Sequence, residues 1–511
     1  MSRREVSKIA WGRALEHAAG SSLTIRIFCM NAAKQSAPRP QDGKVIAQLR
    51  PLADQAFSRA AGAQLIPGNA VRLLRDATEN YPAWLDAIRS AQTRIHFENY
   101  IIHSDTTGQQ FADALAAKAR EGVRVRLIYD WFGALAATSY RFWRFLRRAG
   151  VEVRCFNPPR ADSPLGWLGR DHRKMLSVDS HVAFVTGLCV GDRWAGDPIH
   201  GVEPWRDTGV RIEGPAVGDV EQAFASMWAT LGPPVPQAEL AQAVAPAGEV
   251  ALRIVPSMPT IAGVYRLDQL IAAIARHSIW LTDAYFVGTT VYVEALKAAA
   301  MDGVDVRLLV PRASDIPVMR AVSRAGFRGL LESGVRIFEW NGPMVHAKTA
   351  VADGRWARVG STNLNVASWI GNWELDVVAE DQGFSQQMET MFLEDLAHAT
   401  EIVLKEKQRV RPATEQPSTK PQRKAASGSA GRAATGVLRI GNAVGAAITN
   451  HRTLGPAEAK IMFNVAWLLL ALTVLISLWP RVLAVPAAVL AGWLAISLLV
   501  RAYRLRRRHE E

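Results

Sequence analysis

The sequence contains little cysteine, no cluster of metal-ligating residues and no secretory leader pattern. Its three cysteines, Cys29, Cys155 and Cys189, are too few and too widely spaced for a disulfide framework or a zinc site. Charged residues interrupt every apolar run in the first 60 residues, so none has the length of a signal-peptide core. We therefore expect a protein of a reducing compartment that uses no metal ion and no cofactor.

Acidic residues are in the minority. The chain carries 47 Asp plus Glu against 60 Lys plus Arg, a net charge of +13. An excess of this size favours a nucleic acid or an anionic lipid surface as partner, and charge alone does not choose between them. With 511 residues and 49% hydrophobic content, the chain can bury one large core or two ordinary ones, which excludes a disordered protein.

One short pattern occurs twice. The fuller copy is His346-Ala347-Lys348 with Asp353 and Gly360-Ser361-Thr362-Asn363, and the looser copy is His172-Arg173-Lys174 with Asp179 and Thr186-Gly187. Apolar alternation after each Lys predicts a strand, on which His and Lys two residues apart face the same way. An imidazole beside an ammonium suits attack on a phosphodiester whose negative oxygens are held by cations. A single copy would suggest only a polar strand face, whereas two copies predict two halves of one site.

A repeat with a spacing of about 180 residues extends around these motifs. The matching pairs are 95–105 with 279–289, 122–127 with 303–308, and 150–153 with 334–337. Predicted strands alternate with helical stretches such as 110–121 and 291–302, which indicates α/β halves with mostly parallel strands. Because ligands of such sheets bind at strand ends, two halves meeting face to face would bring His172 and His346 into one cleft.

The C-terminal part differs in composition. Residues 461–479 and 482–500 contain no charge and are separated only by Pro480-Arg481. Since a bilayer core of about 30 Å needs about 20 apolar residues, this segment predicts a transmembrane helical hairpin, the alternative being two buried helices of a soluble core. Lys and Arg flank both ends, which places the ends and the catalytic halves in the cytoplasm by the positive-inside rule. A membrane-anchored phosphodiester enzyme acts most simply on phospholipid, so we expect no nucleic acid partner.

The chain is thus divided into seven predicted regions. These are 1–60, a poorly defined N-terminal region; 61–240 and 241–404, the two halves; 405–435, a basic flexible linker; 436–460, a candidate amphipathic helix; 461–501, the hairpin; and 502–511, a basic tail. The helix at 436–460 either lies on the membrane or docks on the catalytic body.

Both motifs resemble that of the phospholipase D superfamily, which reads HxK, four residues, Asp, six residues, Gly-Ser. The resemblance covers about residues 65 to 400 and is closer to the bacterial cardiolipin synthases of that superfamily. It rests on the short sequences at residues 171–174, 204–208 and 372–374. The chain departs from the family pattern at Thr186, Cys189 and Gly209, where Gly, Asn and His are common. The resemblance implies an α/β fold of two repeated phospholipase D-like halves that form one site.

The resemblance also implies a metal-independent phosphatidyltransferase with a covalent phosphohistidine. His172 is assigned as nucleophile and His346 as acid and base, while Lys174, Lys348, Ser361 and Asn363 hold the phosphate oxygens. Asp207 and Glu374 are each placed to orient an imidazole. Asp179 and Asp353 complete the catalytic group, with a structural role as their alternative.

The expected partners are anionic phospholipid substrates and the bacterial inner membrane, with phosphatidylglycerol as the donor lipid. A hydrolytic phospholipase D differs only in using water as second acceptor. A nuclease of the same superfamily is favoured by the charge and disfavoured by the hairpin. An inactive membrane scaffold is the third alternative, and Thr186 and Cys189 are the departures that suggest it.

Overall fold

A computed structural model describes residues 54–159, 169–241, 243–259, 261–404 and 410–412, with isolated helical positions at 467, 470, 485, 488, 489, 492 and 493. The predicted helix at 436–460, nearly all of the predicted hairpin at 461–501 and the tail at 502–511 lie outside these residues. None of the helices in the described ranges has both the length and the hydropathy that a bilayer span requires. The described residues of both predicted halves belong to one compact unit that begins at Ser58.

The first half alternates strands and helices as far as its HxK motif and then runs through antiparallel strands. Its elements are β1 (Ile66–Arg75), α1 (Asp76–Ser90), β2 (Arg94–Asn99), α2 (Thr106–Arg120), β3 (Arg124–Asp130), α3 (Trp131–Ala134), α4 (Tyr140–Arg148), β4 (Glu152–Phe156), β5 (Arg170–Asp171), β6 (Lys174–Val178), β7 (Val182–Thr186), α5 (Asp192–Ala195), β8 (Thr208–Glu213) and α6 (Ala216–Thr230).

The second half repeats this order. Its elements are β9 (Val250–Ser257), α7 (Gly263–Ile274), β10 (Ser278–Asp283), α8 (Thr290–Met301), β11 (Asp305–Pro311), α9 (Pro317–Glu332), β12 (Arg336–Trp340), β13 (Lys348–Ala352), β14 (Trp356–Gly360), a π-helical turn (Ala367–Gly371), β15 (Asn372–Ala379), α10 (Gln382–Ala397), β16 (Ala399–Leu404) and β17 (Val410–Pro412).

The strand order is the same in both halves. The first sheet runs β4-β3-β2-β6-β7-β8-β1, and the second runs β12-β11-β10-β13-β14-β15-β9. In each sheet the first three strands are parallel, since helices connect them, and the others are antiparallel. β1 joins the sheets: it pairs with β8 along Ala70–Arg75 and with β9 through Ile66 and Asn69. The pairing with β9 is irregular between Ile66 and Asn69, where Gly68 has a φ of +87°, which favours glycine.

The inner faces of the two sheets share one core. Strand residues such as Val185 and Val210 of the first half cluster with Val359 and Leu375 of the second, together with apolar residues of α6 and α10. On the outer face of the first sheet, α1, α2 and α4 pack around Trp84. Either half alone would expose an apolar sheet face, so burial of that face holds the halves together.

A glycine with positive φ ends each of four equivalent helices before the next parallel strand. These glycines are Gly122, Gly150, Gly303 and Gly334, with φ between 93° and 97°. A left-handed residue at this place terminates a helix by capping its last carbonyl groups, and glycine adopts it without strain. In each repeated Gly-Val pair, the glycine therefore ends a helix and the buried valine leads into the next strand.

The predicted flexible linker at 405–435 is not free of regular structure. Val410–Pro412 form β17, which pairs antiparallel with Ile402–Leu404 of β16. β16 is itself added antiparallel to β12 at the edge of the second sheet. β16 would otherwise be an edge strand with unpaired backbone groups, and the chain that follows it supplies hydrogen-bond partners for them. The rest of the linker lies outside the described residues.

Candidate active site

Both HxK motifs lie where a central strand of each sheet begins. Lys174 starts β6 opposite Asn99, the last residue of β2, and Lys348 starts β13 opposite Asp283, the last residue of β10. Each histidine lies two residues before its lysine, just outside the strand. All four motif side chains are buried, with no residue more than 8% exposed. We call this end of both sheets the site end.

Each motif is held by the backbone of the other half. The His172 N–H donates to the Trp373 carbonyl at 2.8 Å, and the preceding β5 pairs in parallel with the start of β15. In the mirror arrangement, the His346 N–H donates to the Arg206 carbonyl at 2.6 Å. These exchanges bring the two predicted half-sites together, so the histidines are positioned by contacts that neither half has alone.

The imidazole–carboxylate pairs also cross between the halves. Nδ1 of His172 lies 2.9 Å from Oε2 of Glu374, and Nδ1 of His346 lies 2.6 Å from Oδ2 of Asp207. Both carboxylates are completely buried. An ionised carboxylate only accepts hydrogen bonds, so Nδ1 carries the proton in each ring and Nε2 keeps its lone pair for chemistry.

Burial and neighbouring charges set the protonation of these pairs. Burial, reinforced by Lys348, lowers the pKa of His346 to about 3, against the opposing effect of Asp207. The pKa of His172 is lowered too, chiefly by burial. Burial alone would raise the pKa of Asp207 and of Glu374, but the facing His and Lys outweigh it and hold both below their usual range. At neutral pH the site thus holds two neutral imidazoles on two carboxylates.

Lys348 lies against the His346 imidazole, and Lys174 contacts the backbone of His172. The Lys348 Nζ is 2.9 Å from Nδ1 and 3.1 Å from Nε2 of His346, and burial lowers the pKa of Lys348 to about 8. The Lys174 Nζ donates to the His172 carbonyl and lies 5.1 Å from the centre of the Tyr100 ring. Each histidine thus has a buried ammonium group near it, and two such groups can bind a phosphodiester anion.

Of the two predicted phosphate-binding residues, one is already engaged. The Ser361 Oγ accepts from the Leu375 N–H at 2.9 Å, and the Ser361 carbonyl lies 3.1 Å from Nδ1 of His172. Asn363 is 4% exposed, and its Oδ1 has no hydrogen-bond partner. An amide oxygen only accepts hydrogen bonds, so Asn363 can hold a phosphate oxygen only through its Nδ2 donor.

Two glycines of the first half, Gly187 in the motif and Gly209 after it, lie close to other side chains. A Cβ at Gly187, which takes the place of Ser361, would lie 2.2 Å from Oδ1 of Asp207. A Cβ at Gly209 would lie 2.2 Å from Oδ1 of Asn80. Gly187 therefore leaves room for the carboxylate that binds His346, and no side chain fits at residue 209.

Asp179 and Asp353 lie away from the site, which corrects their place in the predicted catalytic group. They follow the far ends of β6 and β13, about 15 Å from the lysines at about 3.3 Å per residue. The Asp179 carboxylate accepts the backbone N–H groups of residues 92, 93 and 94 at 2.7–2.9 Å, and Asp353 accepts those of residues 276, 277 and 278. Each aspartate fixes the turn that leads into the neighbouring strand.

Sequence reasoning missed an aromatic wall around the histidines. Tyr100 lies edge-on to His172 with ring centres 4.9 Å apart, and Trp194 and Trp205 lie 5.5 and 5.6 Å from His346. The Trp194 Nε1–H also donates to Oδ2 of Asp207 at 3.1 Å. The signal was present: Tyr100 directly follows a strand of the repeat, and Trp205 belongs to a word shared with the family.

Arg206 was likewise not singled out. Its buried guanidinium donates to Oδ1 of Asp395 at 2.8 Å and to Oδ1 of Asp76 at 3.0 Å, and also to the Asp207 carbonyl. It therefore ties α10 of the second half to the chain segment that carries Asp207. Within the described ranges, no group of three His, Cys, Asp or Glu side chains is arranged to hold a metal ion.

Comparison with known proteins agrees with this geometry. The model of the cardiolipin synthase, phospholipase D-like domain matches twice, at residues 84–228 and 269–396. Cardiolipin synthase A of Pseudomonas fluorescens is 33% identical over 356 residues, 68% of this chain and 72% of the relative. The cardiolipin synthase of Geobacillus thermodenitrificans is 32% identical over 345 residues, 65% and 66% of the two chains.

One solved structure supports the fold alone. Phosphatidylserine synthase of Haemophilus influenzae superposes with a TM-score of 0.53 at 15% identity, covering 68% of this chain and 91% of that one. The resemblance drawn from the two HxK motifs is confirmed: the chain belongs to the cardiolipin synthase group of phospholipase D-like proteins.

Proposed function

We propose that the protein is a phosphatidyltransferase of the cardiolipin synthase type, which moves a phosphatidyl group from one phospholipid to a hydroxyl of another. Phosphatidylglycerol is the proposed donor. The observation that carries the proposal is the crossed arrangement of the two His–carboxylate pairs, each with a buried lysine beside it. It supplies two imidazoles, both neutral before substrate binds, and two lysine cations that can act on a single phosphodiester.

In the proposed first step, Nε2 of His172 attacks phosphorus, an N–P bond forms and the P–O bond to the leaving glycerol breaks. His346 donates a proton to that oxygen. A bound phosphate anion favours the protonated form of His346 and so raises its pKa from the low value that burial gives it. In the second step His346 takes the proton of the incoming hydroxyl, whose oxygen attacks phosphorus and releases His172. Lys174, Lys348 and the Nδ2 group of Asn363 donate to the non-bridging oxygens.

The proposal extends to the regions of the chain and to its location. The division into halves at 61–240 and 241–404 is supported by the equivalent strands β1 and β9 that open them. A cytoplasmic catalytic unit at the bacterial inner membrane, held by a hairpin at 461–501, is supported by the uncharged runs and their basic flanks.

Trapping of the covalent intermediate tests the mechanism. His172→Ala and His346→Ala should each remove nearly all turnover, and the double variant should be little worse, because residues that act as a unit are non-additive. With an activated phosphatidyl ester, whose leaving group needs no proton, mass spectrometry should find an adduct on His172 in the His346→Ala protein. The His172→Ala protein should carry none. His181→Ala, at an exposed histidine in the β6–β7 turn, is the matched control.

The outcomes separate the alternatives. The reverse adduct pattern would exchange the two histidine roles and keep the mechanism. Substantial turnover in either single variant without any adduct would reject the shared site. Phosphatidylglycerol vesicles should yield cardiolipin and glycerol, whereas phosphatidic acid as the main product would identify a hydrolase.

A further inference from the structure

Several large apolar side chains are exposed at the site end of the sheets. They are Leu135, Tyr140, Ile199, Ile261, Val291 and Ile370. Leu135 and Tyr140 follow β3, Ile199 lies between β7 and β8, Ile261 follows β9, Val291 follows β10, and Ile370 precedes β15. All these connections leave or enter strands at the end where Lys174 and Lys348 lie.

The position of these side chains, and not their number, is informative. Single exposed apolar residues are ordinary on protein surfaces, but a group on one face marks an interaction site. Each half contributes three of the six, so both halves present apolar side chains at the site end. Ile199, at the tip of its loop, is 90% exposed, and Tyr140 is 74% exposed. We call these six side chains the apolar rim.

Positive charge lies next to the rim. α4 begins with Tyr140 at the site end, and its residues Arg141, Arg144 and Arg148 are exposed. In the part of the chain that the structure describes, none of the three forms an ion pair with a carboxylate. A surface with protruding apolar groups and unpaired arginines is complementary to the headgroup region of an anionic bilayer.

We propose that the catalytic unit docks on an anionic phospholipid bilayer through its site end, with the apolar rim among the headgroups and Arg141 and Arg144, in the first half of α4, on lipid phosphates. The inference rests on the proposed function, because lipid substrates must reach the buried histidines from the bilayer. Docking in this orientation places the entrance directly on the lipid surface. A donor lipid then reaches the site without its acyl chains crossing water, which would be costly.

Helix α8 supplies a matched pair of positions for the test. Val291 in its first turn belongs to the rim and is 62% exposed, whereas Met301, its last residue, lies at the far end and is 66% exposed. Full-length Val291→Cys and Met301→Cys proteins are labelled with a polarity-sensitive fluorophore and reconstituted in vesicles containing phosphatidylglycerol. The unsubstituted protein, labelled in parallel, gives the background of the native cysteines.

We expect blue-shifted emission and quenching by a lipid-attached quencher at residue 291 and neither at residue 301. Equal responses at the two positions would overturn the proposal. This measurement does not depend on turnover, so it decides the docking surface even where the proposed reaction fails.

Kinetics give a second, independent readout. Val291→Asp and Ile199→Asp should lower turnover of phosphatidylglycerol in vesicles by about tenfold, since each removes a buried apolar contact with the bilayer. Turnover of a short-chain phosphatidylglycerol dispersed as monomers should be unchanged, and Met301→Asp should be unchanged on both substrates. A loss on both substrates, or no difference from Met301→Asp, would overturn the proposal. Failure of the unsubstituted protein on monomers and vesicles alike would reject the proposed function instead.

Discussion

Replacing the carboxylates that cross between the halves tests the site geometry most directly. Oδ2 of Asp207 lies 2.6 Å from Nδ1 of His346 and 3.1 Å from Nε1 of Trp194, while Oδ1 accepts the Thr208 N–H at 2.8 Å. Asp207→Asn keeps the shape and the Thr208 bond and removes the charge. If the amide nitrogen faces the imidazole, the ring must shift its proton to Nε2, where the chemistry occurs.

The magnitude follows from burial. The pair is desolvated, so the charge-assisted bond that strengthens as the imidazole gains a proton is not replaced by water. We expect kcat to fall about 10³- to 10⁴-fold, the upper figure being that for the equivalent change in a Ser-His-Asp triad. Glu374→Gln should produce a loss of similar size through His172.

The two variants should change opposite limbs of the pH–rate profile. Each carboxylate raises the pKa of its histidine, so each substitution lowers that pKa. An acid loses activity as pH rises through its pKa, so Asp207→Asn should move the alkaline limb to lower pH. A nucleophile loses activity as pH falls through its pKa, so Glu374→Gln should move the acid limb to lower pH.

The assay is the pH dependence of kcat on phosphatidylglycerol, with Asp219→Asn, an exposed carboxylate on α6, as the control. If each variant shifts the other's limb, the histidine roles are exchanged. Near-normal kcat and an unchanged profile in both variants would refute the argument that the crossed pairs set the reactivity of the site.

Three further predictions concern the surroundings of the site. Asp179→Asn and Asp353→Asn should each cost about 1–2 kcal/mol of unfolding free energy, measured by thermal melts, with kcat kept within a few-fold. Their pKa values are lowered, so this stabilisation is present above about pH 4 and is lost as the pH falls below it. Gly187→Ala should lower kcat because its Cβ displaces the Asp207 carboxylate, whereas Gly218→Ala, where a Cβ meets nothing closer than 3.7 Å, should not. Turnover should survive EDTA because two buried lysines supply the positive charge; loss restored by a divalent ion would contradict this.

Much of the fold was predictable because the sequence repeats it. Strands and helices at a fixed offset must adopt equivalent positions if both halves are to bury the same faces. The helices predicted at 110–121 and 291–302 are α2 and α8, displaced by a few residues. The HxK spacing predicted His and Lys on one face of a strand; Lys348 does contact the His346 ring, but each strand begins only at the Lys.

The sequence could not predict which carboxylate binds which histidine. Asp207 and Glu374 follow the histidines of their own halves by 35 and 28 residues, but each binds the histidine of the other half. Spacing along the chain contains no information on which imidazole a carboxylate meets when the halves are related face to face. β17 was missed for a different reason, because its residues pair only to cover an edge strand.

The differences between the two motifs have a consistent physical account once the exchange is known. Ser361 closes the second motif and supports His172: its carbonyl contacts Nδ1, and its Oγ fixes the backbone beside Glu374. The first motif has Gly187 at the equivalent place, because the space of a side chain is filled by the carboxylate bound to His346. The loop after each motif thus contacts the histidine pair of the other half: Ser361 contacts His172, whereas Gly187 leaves space for the carboxylate bound to His346. Loss of the Gly-Ser word from the first motif is therefore compatible with an intact pair of histidines and is not a sign of an inactive half.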